Sequence, residues 1–211
     1  MAVRRAARQQ AVSDHKRGLI LDAARAVFSE EGLEGASLRA IATRAGYTPA
    51  ALYFHFDSKE AIYADVLRTS LRALGRHVSE AVSEAQDAQA KLRAAAMAFF
   101  WFYAENPRDL DLGFYLFRGG MKPKGLGRER DEALNDDLAI ALRPISEAAR
   151  VLGASPMAAE LLMVDTFAHA TGLLLLLHTG RIRMFGASAA ERMEAYLDGR
   201  IGALMQDAKP C

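Results

Sequence analysis

Between Ser37 and Leu67 the chain reads SLRAIATRAGYTPAALYFHFDSKEAIYADVL, and its hydrogen-bonding groups sit at the ends and outer faces of short apolar runs. Ser37, Arg39, Thr48, Tyr53, His55 and Lys59 offer hydroxyls, an imidazole and cations, while Tyr47, Pro49, Ala50 and Ala51 keep the surface between them small or flat. Such groups recognise phosphate oxygens and base edges without covalent chemistry. Catalysis finds little support elsewhere. The histidines His15, His55, His77, His169 and His178 form no HExxH or other metal-ligand pattern,. No glycine-rich phosphate loop is present, and the single cysteine is the terminal Cys211. We therefore expect no enzyme activity, no metal and no cofactor.

Two short helices must hold these groups. Ser37 is a good N-cap, Leu38, Ile41, Ala42 and Ala45 recur at helical spacing, and Gly46 suits the left-handed position that closes a helix,. Thr48 caps a second helix, Pro49 fits its first turn, and Leu52 is its inward anchor,. The run ends in Tyr53-Phe54-His55-Phe56, with polar tips beside buried rings, before Asp57 or Ser58 caps a helix carrying Lys59,. A small residue between close-crossing helices, with the second helix's outer face free, is the layout of a helix-turn-helix DNA reader.

At IATRAGYTPAALYFHFDSKEAIY the chain closely resembles the N-terminal domain of the TetR/AcrR family of bacterial transcriptional regulators, in which a segment like ALA-x-x-AGVS-x-GTLYYHF-x-x-KEEL follows a first helix, here His15 to Glu31. The resemblance implies a phosphate contact from Lys59 and a nearly palindromic operator read by two recognition helices about 34–36 Å apart. Three residues depart from the pattern. Tyr47 replaces a small aliphatic residue and either covers the core or reaches a base edge. Ala50 and Ala51 stand where Gly and Thr are frequent, which removes a hydroxyl contact and favours apolar contact with a thymine methyl.

A formal charge of +1 over 211 residues confines any nucleic-acid footprint to a patch,. Arg4, Arg5, Arg8, Lys16 and Arg17 against Asp14 form one such patch, and without apolar periodicity its first fourteen residues read as a flexible basic arm, either lying along DNA or a solvated tail,. No signal-peptide core is visible, and the most apolar stretch, Leu161 to Leu177, carries Asp165 and His169,. A lone cysteine fits a reducing cytoplasm.

The remaining chain reads as helix after helix, without strand alternation. The expected fold is all-α with about nine helices. We divide it into a basic arm (1–14), a three-helix helix-turn-helix domain (15–62) and a ligand-binding and dimerisation domain (63–211). Pro144 is expected to kink the seventh helix. Leu161 and Leu174 on an eighth helix starting at Ser155-Pro156, and Met193, Leu197, Ile201 and Leu204 on a ninth opened by Ser188, form broad apolar stripes that fit a four-helix homodimer interface,. The family resemblance implies that same arrangement and a ligand pocket, for which Leu67, Phe99, Tyr103, Phe114, Phe117, Phe167, His169 and Thr171 are the candidate lining; each aromatic is equally a candidate core residue,. Asp165 and His169, four residues apart, are placed to share a hydrogen bond. The implied function is a ligand-responsive regulator, a repressor released from double-stranded DNA by a small apolar or amphipathic effector. The alternative is an all-helical binding protein or enzyme retaining a vestigial helix-turn-helix.

Overall fold

The computed structural model describes residues 2–114 and 125–207, and among them every regular element is helical. In chain order these are α1 (Ala2–Gly35), α2 (Leu38–Ala45), α3 (Pro49–Tyr53), α4 (Lys59–Glu84), α5 (Ala88–Glu105), α6 (Pro107–Gly113), α7 (Arg128–Val151), α8 (Pro156–His178) and α9 (Ala189–Asp207). A 3-10 turn, Arg181–Phe185, lies between the last two. Phe117 and Cys211 lie outside the described residues.

Local chemistry accounts for most of these boundaries. The Ser37 hydroxyl accepts the Ala40 N–H at 3.1 Å, and Gly46, at φ 73°, turns the chain so that the Tyr47 N–H reaches the Ala42 carbonyl at 2.9 Å. A cap of this type is worth about 1 kcal/mol. The Thr48 hydroxyl accepts the Ala51 N–H at 3.3 Å, with Pro49 in the first turn. Ser58, not Asp57, caps α4, accepting the Ala61 N–H at 3.1 Å. Asp87, Ser155 and Ser188 cap α5, α8 and α9 through their side chains. Pro144 lies inside α7.

Two expectations need correction. Residues 2–14 are not an irregular arm but the start of α1, whose side chains Arg8, Val12 and Lys16 are exposed. Gly32, at φ 70° and ψ 177°, interrupts that helix one residue beyond its expected end. The domain boundaries differ too. Contacts divide the chain into a first unit of residues 1–70 with 111–134, and a second of residues 71–110 with 135–211. Segment 111–134, expected in the C-terminal domain, belongs to the unit that holds the helix-turn-helix.

The first unit packs Ile20, Ala24, Val27 and Phe28 of α1 against Ile41 of α2, Leu52 of α3 and Ile62, Tyr63 and Val66 of α4, all buried. Phe28 meets Tyr63 edge to face at 4.8 Å, and the Tyr63 hydroxyl donates to the Leu112 carbonyl at 2.9 Å. The second unit is built on α5, α8 and α9 packed against one another. Its core takes Leu92, Ala96 and Phe100 from α5, Ile145 and Ala149 from α7, and Leu162, Ala170 and Leu174 from α8. Met193, Leu197 and Ile201 of α9 are buried there as well. Met193, Leu197 and Ile201 of α9 and Leu174 thus cover the chain's own core, so they are not the free interface face expected of them; Leu204 is half-buried, and Leu161 is 55% exposed and remains available. By length and composition α8 could cross a membrane, at a mean hydropathy of 1.5 over its most apolar window, yet its buried face packs on α5 and α9.

Candidate nucleic-acid interface

The interface rests on α2 and the single turn of α3. Leu52 and Phe56 point inward at i,i+4 spacing and are buried, which turns Tyr53 and Phe54 outward, 62% and 89% exposed,. Ser37, Arg39, Thr48, Pro49 and Ala50 are exposed, and Tyr47, Ala51 and His55 half-buried. The hydroxyls of Ser37 and Thr48 cap their own helices, so each offers DNA only its remaining hydrogen-bonding capacity,. Arg39 has no ion-pair partner among the described residues, whereas Arg44 is held at 2.5 Å by Glu30, whose hydrogen bond and charge raise the guanidinium pKa further.

Phe54 is the residue that sequence reasoning placed wrongly, among the buried rings. The Leu52–Phe56 spacing carried the signal, because those two positions leave Phe54 facing solvent. A large apolar ring exposed at the end of a recognition helix suits contact with deoxyribose or a thymine methyl.

Lys59 also behaves differently from expectation. Its ammonium donates to the carbonyls of Leu33 at 2.9 Å, Glu34 at 3.3 Å and Ala36 at 3.4 Å. These close the end of α1 and the turn into α2. An ammonium has three donors, and all three are engaged.

The chain between α3 and α4 is gripped from two sides. Arg17 of α1 donates to the His55 carbonyl at 3.2 Å, pairs with Asp65 and lies 4.4 Å over the Phe56 ring. Arg130, in the first turn of α7, reaches both oxygens of Asp57 at 3.1 and 3.2 Å.

The expected ligand residues fall into different places. Leu67, buried, and Phe114, half-buried, belong to the first unit. In the second unit Phe99 meets Tyr103 and Phe167 edge to face at 5.1 and 5.7 Å, so the aromatic stripe packs on itself. Burial pushes the Tyr103 phenol up, with the Asp109 carboxylate adding to the shift. Asp165 does not bond His169; it pairs with Arg200 of α9 at 2.6 Å, and His169 stacks on Tyr196 at 4.1 Å. Thr166 Oγ1, His169 Nε2, Thr171 Oγ1 and Tyr196 OH are occluded without a hydrogen-bond partner among the described residues.

Two capped helices, the second exposing a small-residue face above a buried leucine, define a helix-turn-helix protein with an appended all-helical unit. Residues 20–66 match the model of the bacterial regulatory proteins of the tetR family. The transcriptional activator FasR of Mycolicibacterium smegmatis is 38% identical over 101 residues, 48% of this chain and 46% of that protein. The transcriptional repressor KstR2 of Rhodococcus jostii is 39% identical over 79 residues, 37% of this chain and 39% of that one. The chain thus spans less than half the length of these curated relatives. The fold matches further: the solved transcriptional regulator FadR from Bacillus subtilis, in complex with stearoyl-CoA, superposes with a TM-score of 0.66 at 17% identity, covering 85% of this chain and 95% of that one. Residues 20–66 thus resemble the DNA-binding domain of the tetR family, and the helical fold as a whole is similar to that of solved regulators such as FadR.

Proposed function

We propose that the protein is a dimeric, ligand-responsive transcriptional regulator that represses from a nearly palindromic operator and is released by a small apolar or amphipathic effector. The observation that carries this reading is the outward face of α3, where Thr48, Pro49 and Ala50 are exposed while Leu52 is wholly buried. A one-turn helix with that face free fits the major groove. FasR is an activator and KstR2 a repressor by name, so repression is supported by one relative and opposed by the other.

The partner surfaces follow from what the second unit leaves uncovered. Met157, Leu161, Val164 and Leu175 of α8 are 51–70% exposed at helical spacing, and α9 exposes the small residues Ala195, Gly199 and Gly202. A large apolar stripe beside a small-residue face suits close packing with a second copy, giving a four-helix homodimer interface. FadR was solved with stearoyl-CoA, which supports an amphipathic acyl compound as effector class here. A coupling of about 1–3 kcal/mol between the effector and DNA would weaken operator binding roughly 5- to 150-fold. Helix α4 is the element placed to transmit it, with residues 59–70 in the first unit and 71–84 in the second. Work on the chromosome places the protein in the cytoplasm.

Selection of random and genomic DNA on the purified protein tests this function. Enrichment of one near-palindromic sequence, diminished by stearoyl-CoA, supports it. No enrichment at low salt by a folded protein contradicts it.

A further inference from the structure

We propose that Arg130, at the start of α7, is a positioning residue for the recognition helix, acting through Asp57. The inference rests on the DNA-binding reading above and extends it to a residue far outside the matched segment 20–66.

Helix α3 has five residues, too few to hold its shape unaided,. After it, residues 54–58 form no regular structure before α4 begins. Orientation must come from contacts on this stretch. On one side Arg17 bonds the His55 carbonyl. On the other, Arg130 Nη2 lies 3.1 and 3.2 Å from the two carboxylate oxygens of Asp57, a charge-assisted contact from one nitrogen shared between both oxygens,. Arg130 is itself braced, since its second nitrogen lies 3.5 Å from the Leu126 carbonyl and Leu126 is 3% exposed.

Described residues near it in sequence are buried. Leu112 is 1% exposed, and its carbonyl accepts the buried Tyr63 hydroxyl. Residues 111–114 and 125–134 group by contacts with the unit that holds the helix-turn-helix. Helix α7 continues from there through Val151, with its residues beyond 134 in the second unit, so a shift of α7 would reach Asp57 through Arg130. Any preference of the effector for one position of α7 would then bear on the recognition helix.

The pair is solvent-accessible, Asp57 by 73%, so the expected effect is modest. Arg130→Gln should weaken operator binding about three- to fivefold, the range of a good surface pair. The slope of log affinity against log salt should stay as in the parent, because every phosphate neutralised by the parent is still neutralised. In an Asp57→Asn background the same substitution should add nothing, and Arg130→Lys should recover part of the loss. Without DNA, hydrogen exchange at the His55 and Phe56 amides, both bonded to the Leu52 carbonyl, should quicken by a similar factor,. Unchanged affinity and unchanged exchange would overturn the proposal, as would a full additive loss in the Asp57→Asn background or a shallower salt slope. If the parent protein selects no DNA, the functional reading fails instead, while the exchange measurement still decides what Arg130 does.

Discussion

The Lys59 ammonium lies 2.9 Å from the carbonyl oxygen of Leu33, with the Glu34 and Ala36 carbonyls as its further acceptors. A lysine at the N-terminus of α4 is thereby spent on closing α1, where the helix leaves carbonyls without intrahelical partners. Lys59→Met should therefore destabilise the protein by about 1–3 kcal/mol, the range for hydrogen bonds from a charged donor. It should leave the salt dependence of DNA binding unaltered in the folded fraction. Urea unfolding and a salt titration check the two halves, and a slope shallower by about 0.9, one phosphate's worth, would return Lys59 to the DNA interface.

Leu197→Glu and Leu161→Glu should separate folding from assembly. Leu197 is wholly buried within the second unit, so a carboxylate there should cost about 3–5 kcal/mol and unfold the chain,. Leu161 is 55% exposed on α8, and its substitution should leave a folded monomer. Circular dichroism and sedimentation read both, and a dimeric Leu161→Glu protein would remove α8 from the proposed interface.

The basic start of α1 gives a third test. Deleting residues 2–9 removes Arg4, Arg5 and Arg8. If these displace counterions, affinity should fall on every DNA sequence and the salt slope should become shallower by up to about 0.9 for each phosphate no longer neutralised. An unchanged slope would identify this stretch as a bystander.

Tyr103 gives stability a high-pH limit. Burial raises its pKa in the folded state above the ordinary value of 10, so the neutral phenol persists there while the unfolded chain ionises,. The contribution is complete below about pH 10 and is lost as pH rises towards the folded-state value. Denaturant midpoints measured from pH 8 to 11 should fall above pH 10, and Tyr103→Phe should flatten that fall.

Elements fixed by neighbours in sequence were legible from the residues alone. Ser37, Gly46, Thr48 and Pro49 set the helix-turn-helix by contacts reaching five residues at most, and the structure places each as its chemistry requires. Partners distant in sequence were not legible. Nothing near Lys59 announces the carbonyls of Leu33 to Ala36, and nothing near Asp57 announces Arg130. The α9 stripe misled for another reason: periodicity shows that Met193, Leu197 and Ile201 face something apolar, not whether it belongs to the same chain. Residues 2–14 misled because the lack of apolar periodicity suggested a tail, whereas their alanines, arginines and glutamines favour a helix,.

The central claim, that α3 reads DNA, is tested most directly by footprinting the parent and the Ala51→Glu variant side by side on the DNA flanking the gene. Ala51 is half-buried at the edge of the exposed α3 face, so the fold should tolerate glutamate while its charge is driven from the groove,. The account predicts one short protected near-palindrome for the parent and none for a variant of unchanged circular dichroism. Equal protection by both proteins would contradict the assignment of α3 as the recognition helix.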